Sequence, residues 1–166
     1  AMCAANVSAS SIVDAFNRCF PDRAALRRAA EIATADPRNT DYQQSVAESL
    51  AWLADAERSV GNYRGAINAR RQGVALLERL FAATGDVDYQ QRLIPAHRTL
   101  GFLHGELGQH GPAVEQLRAA VNQAEALIPK EPTNTLWLEY AFRAKLGLAR
   151  QLLLSGQTGE ATAQTN

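Results

Sequence analysis

The sequence predicts an all-α fold, an array of antiparallel helical hairpins stacked in a row, and three observations predict it. Residues 41–44 read Asp-Tyr-Gln-Gln, and residues 88–91 read the same four again, 47 positions later. That offset pairs Leu53 with Leu100, Ala54 with Gly101, Gly61 with Gly108, Ala66 with Ala113, Val74 with Val121 and Glu78 with Glu125. An offset of 48 carries it into a third copy, Tyr89 onto Trp137, Leu100 onto Leu148, Gly108 onto Gly156 and Ala113 onto Ala161. A period of this size marks stacked supersecondary units rather than one closed globule. Within each unit, apolar residues recur every three or four positions, which keeps one face of a helix inward. Gly and Pro punctuate those runs at matching places, and no strand-like alternation competes.

Taken in order, Ser10 to Cys19 predicts a short helix with a serine cap before Pro21, and Asp22 caps a second from Arg23 to Ala35. The small and apolar residues of that second run, Ala25, Leu26, Ala29, Ile32 and Ala33, resemble the second helix of a unit. Tyr42, Val46, Leu50, Leu53, Glu57 and Val60 form the stripe of the next helix, which Gly61-Asn62 stops, because Gly tolerates the left-handed backbone of a helix end. Ala66, Ile67, Arg70, Val74, Leu77, Leu80 and Phe81 make the following stripe, ending before Thr84-Gly85-Asp86. Unit two repeats the plan with Tyr89, Leu93, Leu100 and Leu107, the Gly108 turn, Pro112 near a helix start, and a helix from Ala113 to Ile128 closed by Pro129 and Pro132. Trp137, Ala141, Leu148 and Leu152 follow, then the Gly156 turn and the start of a further helix. About seven helices result. Residues 1–35 are a short helix plus a partial repeat, 36–82 repeat one, 83–130 repeat two, and 131–166 an incomplete repeat three, all one domain.

A chain of 166 residues with 46% hydrophobic content buries an ordinary core without staples. Seventeen basic residues balance seventeen acidic ones, so no global field selects nucleic acid or an anionic membrane. Cys3 and Cys19 read as free thiols, and no apolar run reaches the roughly 20 residues of a membrane span. With no signal-peptide core at the N-terminus, the expected location is cytoplasmic. The Ala-Met start and the polar end at Asn166 read as boundaries of a piece of a larger protein.

Small residues at Ala54, Gly101 and Ala149 each follow a leucine, and Ala66, Ala113 and Ala161 come at fixed distances after the Gly turns. This pattern, over about residues 36–161, resembles the tetratricopeptide repeat. The resemblance implies a right-handed superhelical array, an α-solenoid in which Gly or Ala at each helix crossing lets two backbones approach. It implies a protein-interaction role without naming a partner. The units depart from the family's common 34 residues in being 47 or 48 long. Long units with Asp36-Pro37-Arg38-Asn39 or Glu131-Pro132-Thr133-Asn134 ahead of the first helix look like arrays attached to bacterial multidomain signalling proteins. Some members clamp a peptide carboxylate with Lys and Asn on first helices. The matching places here hold Ala51 and Asp55, Arg98 and Phe102, and Leu146 and Arg150, which argues against such a clamp.

Candidate partner-binding residues are Glu48, Asp55, Arg98, Phe102, Arg143 and Arg150, at or near groove-facing places of first helices. A basic and aromatic groove of this kind suits an acidic or aromatic-bearing segment. The competing reading is a solvated helix face whose arginines pair with nearby carboxylates. His97 and His104 are seven residues apart on one helix, about 10 Å along its axis, with no Cys or carboxylate in the helix completing a closed ligand set, so they read as packing residues rather than metal ligands. His104 is expected to meet Glu57 of the neighbouring unit. Tyr42, Tyr89 and Trp137, each near the start of a first helix, read as core. No nucleophile elbow, phosphate-cradling glycine loop, zinc-protease helix or paired-carboxylate site is present, and no cofactor is implied.

The expected function is therefore binding of a peptide or helical segment of a protein partner in the concave groove, without catalysis. A second reading is homo-oligomerisation through exposed terminal helices, since Leu148 to Leu154 presents leucines on more than one face. A third is a small-ligand sensor pocket.

Overall fold

The structure, a computed structural model, describes residues 39–163. The two helices expected before residue 36 lie outside that span. Five long helices follow one another: α1 (Thr40–Ser59), α2 (Tyr63–Thr84), α3 (Val87–Glu106), α4 (His110–Leu127) and α5 (Thr135–Leu154). A 3-10 turn at Ile128–Lys130 precedes α5, and a short α6 (Thr158–Ala163) follows it. Each helix packs on the next in sequence, and α3 also touches α5. The result is a zigzag of hairpins, with α1, α3 and α5 as first helices and α2, α4 and α6 as second helices. No strand occurs among the described residues.

The repeat is most literal in the hairpin turns. Gly61, Gly108 and Gly156 hold φ of 80°, 68° and 81°, the left-handed region that side chains resist. In the first turn the amide of Asn62 donates to the Glu57 carbonyl at 2.8 Å, and that of Gly61 to Arg58 at 3.0 Å. Gln109 to His104 with Gly108 to Gly105, and Gln157 to Leu152 with Gly156 to Leu153, repeat the pair of bonds. These are the two bonds of a Schellman cap, which satisfies carbonyls the helix end would otherwise orphan. Gly108→Ala should therefore lower stability by about 1 to 2 kcal/mol, the left-handed penalty for a residue with a Cβ. Nothing lies within 4 Å of the added methyl, so the loss measured by urea denaturation reports backbone strain and not a clash.

Side chains cap the starts of four of the helices. Asn39 accepts from the amides of Asp41 and Tyr42, Asn62 from Gly65, Asp86 from Asp88 and Asn134 from Trp137. One residue defies local rules. Pro95 sits inside α3, where it donates no helical hydrogen bond, so the Gln91 carbonyl has no i+4 amide to accept. Packing outweighs that loss, for α3 is buried along most of its length.

Two apolar clusters form the core. One gathers Leu50, Ala54, Ala66, Leu77, Tyr89, Leu93 and Leu100 from α1 to α3. The other gathers Ile94, Leu117, Val121, Leu127, Trp137, Leu148 and Leu152 from α3 to α5, with Ala161 of α6. Helix α3 feeds both, which ties the units together. The small residues expected at crossings are where they were placed: Ala54, Ala66, Ala113, Ala149 and Ala161 are all buried. A Cβ on Gly101 would stand 2.7 Å from Leu117 Cγ and 3.0 Å from the Ala113 carbonyl. Tyr89 and Trp137 are core residues, but Tyr42 is 41% exposed, a correction to the reading of all three aromatics as core. The segment it was expected to meet lies outside the described residues. Val60 and Leu107, also counted on the apolar stripes, are exposed at the helix ends beside the glycine turns.

Candidate functional site

The first helices leave a partly open cavity of about 580 Å³ between α1 and α3. Its α1 wall carries Gln44, Glu48, Ala51 and Asp55, and its α3 wall Asp88, Gln91, Arg92, Pro95 and Thr99. Gly73, Leu77 and Arg70 of α2 lie beneath, and Tyr140 of α5 reaches its edge. The repeat explains why the space is there. Where α1 has Ala47 and Ala51, α3 has Ile94 and Arg98 at the equivalent places, and where α2 has Gly73, α4 has Ala120. Unit one thus withdraws side-chain volume that unit two fills; α3 touches α5 directly, while the cavity intervenes between α1 and α3.

Charged side chains on the walls are held by one another. Arg92 Nη1 of α3 lies 3.0 Å from Glu48 Oε1 of α1, bridging the mouth, and Gln44 donates to the same Glu48 oxygen at 3.0 Å. Arg70 Nη2 donates to Asp55 Oδ1 at 3.0 Å and to the Ala51 carbonyl at 3.3 Å. Burial pushes the Arg70 guanidinium below its ordinary value, and the Asp55 carboxylate pulls it back up. Its Nε is buried without a hydrogen-bond partner. Gln91 Oε1 accepts from the Trp137 indole at 2.7 Å, which fixes the α3 wall to the next unit. The cavity therefore presents oriented polar groups around the small residues Ala47, Ala51 and Gly73.

Of the six sequence-derived site residues, the structure brings Glu48 and Asp55 together on this cavity. The other four do not line it. Arg98 is half-buried on α3, with its Nε buried and unpartnered, and Phe102 is exposed one turn further on. Arg143 pairs with Glu139 along α5 at 2.7 Å, and Arg150 is exposed near the end of that helix. Sequence reasoning missed Arg70, Arg92, Asp88 and Tyr140. Arg70 did carry a signal, since an arginine on an otherwise apolar stripe needs a carboxylate within reach, and Asp55 supplies it. Arg92 carried none, because its aligned positions, Ser45 and Tyr140, share no chemistry with it.

His97 and His104 are packing residues with protein partners. His97 Nδ1 and Gln116 Oε1 are hydrogen-bonded at 2.9 Å, and its Nε2 lies 3.6 Å from Glu78 Oε1, so it links α3 to α4 and α2. The structure does not bond His104 to Glu57 as expected. Each bonds the residue five places on in its own turn, Glu57 with Asn62 at 2.7 Å and His104 with Gln109 at 2.6 Å. Among the described residues no group of three or more His, Cys, Asp or Glu side chains gathers as metal ligands would, and no helix is long and apolar enough to cross a membrane.

No family model matches the chain, and no curated protein does. Two crystal structures of a protein named MamA are similar to it at 18% identity. One alignment covers 93% of this chain and 84% of that one with a TM-score of 0.47; the other covers 89% and 87% with a TM-score of 0.33. At these scores neither likeness bears on what the chain does, and the helical-hairpin array stands on its own helices, caps and crossings.

Proposed function

We propose that this chain is a protein-interaction module that takes a peptide or a helical segment of a partner protein into its concave groove, with the cavity between α1 and α3 as the anchor point. The cavity itself carries the reading: 580 Å³ of open space whose polar walls are already oriented by the Arg92–Glu48 and Arg70–Asp55 pairs. Preorganised side chains spare a ligand the cost of ordering them. The proposal is of binding without catalysis, in the cytoplasm, by a piece of a larger bacterial regulatory or signalling protein. The long repeat units and their Asp-Pro and Glu-Pro leaders support that setting, through the resemblance they carry.

The test is a peptide array probed with the wild-type chain and with an Ala51→Trp variant. Ala51 is half-buried on the α1 wall, so the indole fills the cavity and leaves the α1–α2 crossing at Ala54 untouched. Peptides selected by the wild type should lose at least roughly tenfold in affinity for the filled variant, equivalent to about 1.4 kcal/mol. Equal binding by both proteins would place the recognition surface elsewhere. Reversing Arg98 and Arg150 separately reads whether the rest of the groove contributes.

A further inference from the structure

Unit one carries an ion pair where unit two carries two apolar side chains. Arg70 is 9% exposed and lies 3.0 Å from Asp55, while the equivalent residues 47 positions on are Leu117, 2% exposed, and Phe102. The repeat therefore does not require a charge at either place, and taking a guanidinium out of water costs free energy that burying a leucine does not. Arg70 also lines the cavity between α1 and α3, and its guanidinium is only partly used. Nη2 donates to Asp55 Oδ1 and to the Ala51 carbonyl, Nε is buried without a partner, and Nη1 forms no hydrogen bond yet is not sealed from solvent. The Asp55 side chain is 48% exposed and spends one carboxylate oxygen on the pair, which leaves Oδ2 open. The cavity thus offers an unused N–H donor and an unused carboxylate acceptor side by side.

We infer that the cavity is a pocket for an uncharged carboxamide, the side chain of a glutamine or asparagine on the partner's segment, whose C=O accepts from the Arg70 guanidinium and whose NH2 donates to the Asp55 carboxylate. This rests on the reading of the cavity as the anchor point. Charge selects the carboxamide. Because the two groups are 3.0 Å apart, a ligand head that touches one also meets the other. A carboxylate drawn to Arg70 is repelled by Asp55, and an ammonium drawn to Asp55 is repelled by Arg70, so a charged head gives up its hydration for little net attraction. Over the lining as a whole Glu48, Asp55 and Asp88 stand against Arg70 and Arg92, close to balance. A carboxamide holds an acceptor and a donor on one planar group, which matches the pair without bringing a charge. Hydrocarbon of the same size would leave both groups unpaired. Depth selects a side chain over the main chain. Arg70 lies beneath the opening at 9% exposure, and the Arg92–Glu48 pair bridges the mouth. A backbone crossing that mouth stays outside, whereas a side chain reaches in.

A positional-scanning library of immobilised hexapeptides, probed with the 166-residue chain, tests this. Glutamine or asparagine should be selected at one position, and in a selected peptide its replacement by glutamate, lysine or methionine should each weaken binding roughly tenfold or more, read by fluorescence anisotropy. Asp55→Asn keeps an acceptor for Arg70 but removes the opposing charge, so it should reverse the order and bind the glutamate peptide better than the glutamine one. Arg70→Leu, which writes the unit-two residue into unit one, should lose most of the preference for glutamine over methionine. Asp55→Asn is isosteric, so the switch in specificity is read from it alone should Arg70→Leu fail to fold. Selection of an acidic or a basic residue at the anchor position overturns the inference, as does the absence of any preference there, which would mean main-chain recognition, or an Asp55→Asn variant that still rejects glutamate. In those cases loss of binding with Ala51→Trp still upholds the cavity as the anchor point. Peptides whose binding ignores Ala51→Trp overturn the anchor point and this inference with it, and a library from which no peptide binds does the same.

Discussion

Leu117→Ala is expected to be the most damaging conservative substitution in the molecule, costing about 3 to 5 kcal/mol of folding free energy. Leu117 lies on α4, 2% exposed, between two glycines on the neighbouring first helices. A Cβ on Gly101 of α3 would meet its Cγ at 2.7 Å, and one on Gly147 of α5 would meet its Cδ2 at 3.0 Å. One side chain therefore fills the crossing of three helices, where the flanking positions have no side chains that could relax into a void. Truncation leaves a cavity that can collapse only by moving backbone, which puts the cost at the upper end of the range for leucine. Urea denaturation followed by circular dichroism measures it. The same geometry predicts a sign. Gly101→Ala should destabilise the wild type but do so less, or not at all, in the Leu117→Ala background, where the new methyl occupies vacated space. Additive effects in that double-mutant cycle would show that the glycine and the leucine do not share the crossing.

Ala113→Leu is the second large effect, and it acts in the opposite direction, by overpacking. Ala113 is 0% exposed, and its carbonyl lies 3.0 Å from where a Cβ on Gly101 would stand, so α3 and α4 approach at backbone distance here. Three further carbons have nowhere to go without prying the hairpin apart, at a cost of about 1 to 3 kcal/mol. The equivalent change at Ala66 should behave alike, because that residue is also fully buried at the α1–α2 crossing. Thermal unfolding of both variants checks the equivalence. An unchanged midpoint at either position would mean that the crossing residue of that unit has been misidentified.

Much of this architecture was legible before any coordinates. The Gly61, Gly108 and Gly156 turns and the small residues at crossings were readable because each answers to a local demand: a left-handed φ or a close backbone approach. Such demands admit few residue types, so they leave a mark at every repeat. Pro95 shows the limit from the other side. Taken locally it ends a helix, and α3 runs through it because the helix is buried on both sides by its neighbours.

The candidate site was legible in part. Glu48 and Asp55 line the α1 wall of the cavity, and helical periodicity settles which side of α1 they occupy. Arg92 was not legible, because its partner Glu48 is 44 residues away and an exposed ion pair leaves no pattern in either segment. Nor was the cavity, which follows from what the chain omits: Ala47, Ala51 and Gly73 against Ile94, Arg98 and Ala120. A missing side chain reads as an ordinary alanine until its surroundings are known.

The sequence by itself determined the helices, their order, the hairpin turns and the repeat that stacks them, for these depend on backbone conformation and on contacts between neighbours in the chain. Only the tertiary structure decided where space remains and which faces stay uncovered. The gap between α1 and α3 and, among the described residues, the exposure of Phe142 where Ile94 is buried are differences between units that share one backbone plan. They arise when side-chain volumes from three helices meet, a sum over residues far apart in sequence that no single segment contains.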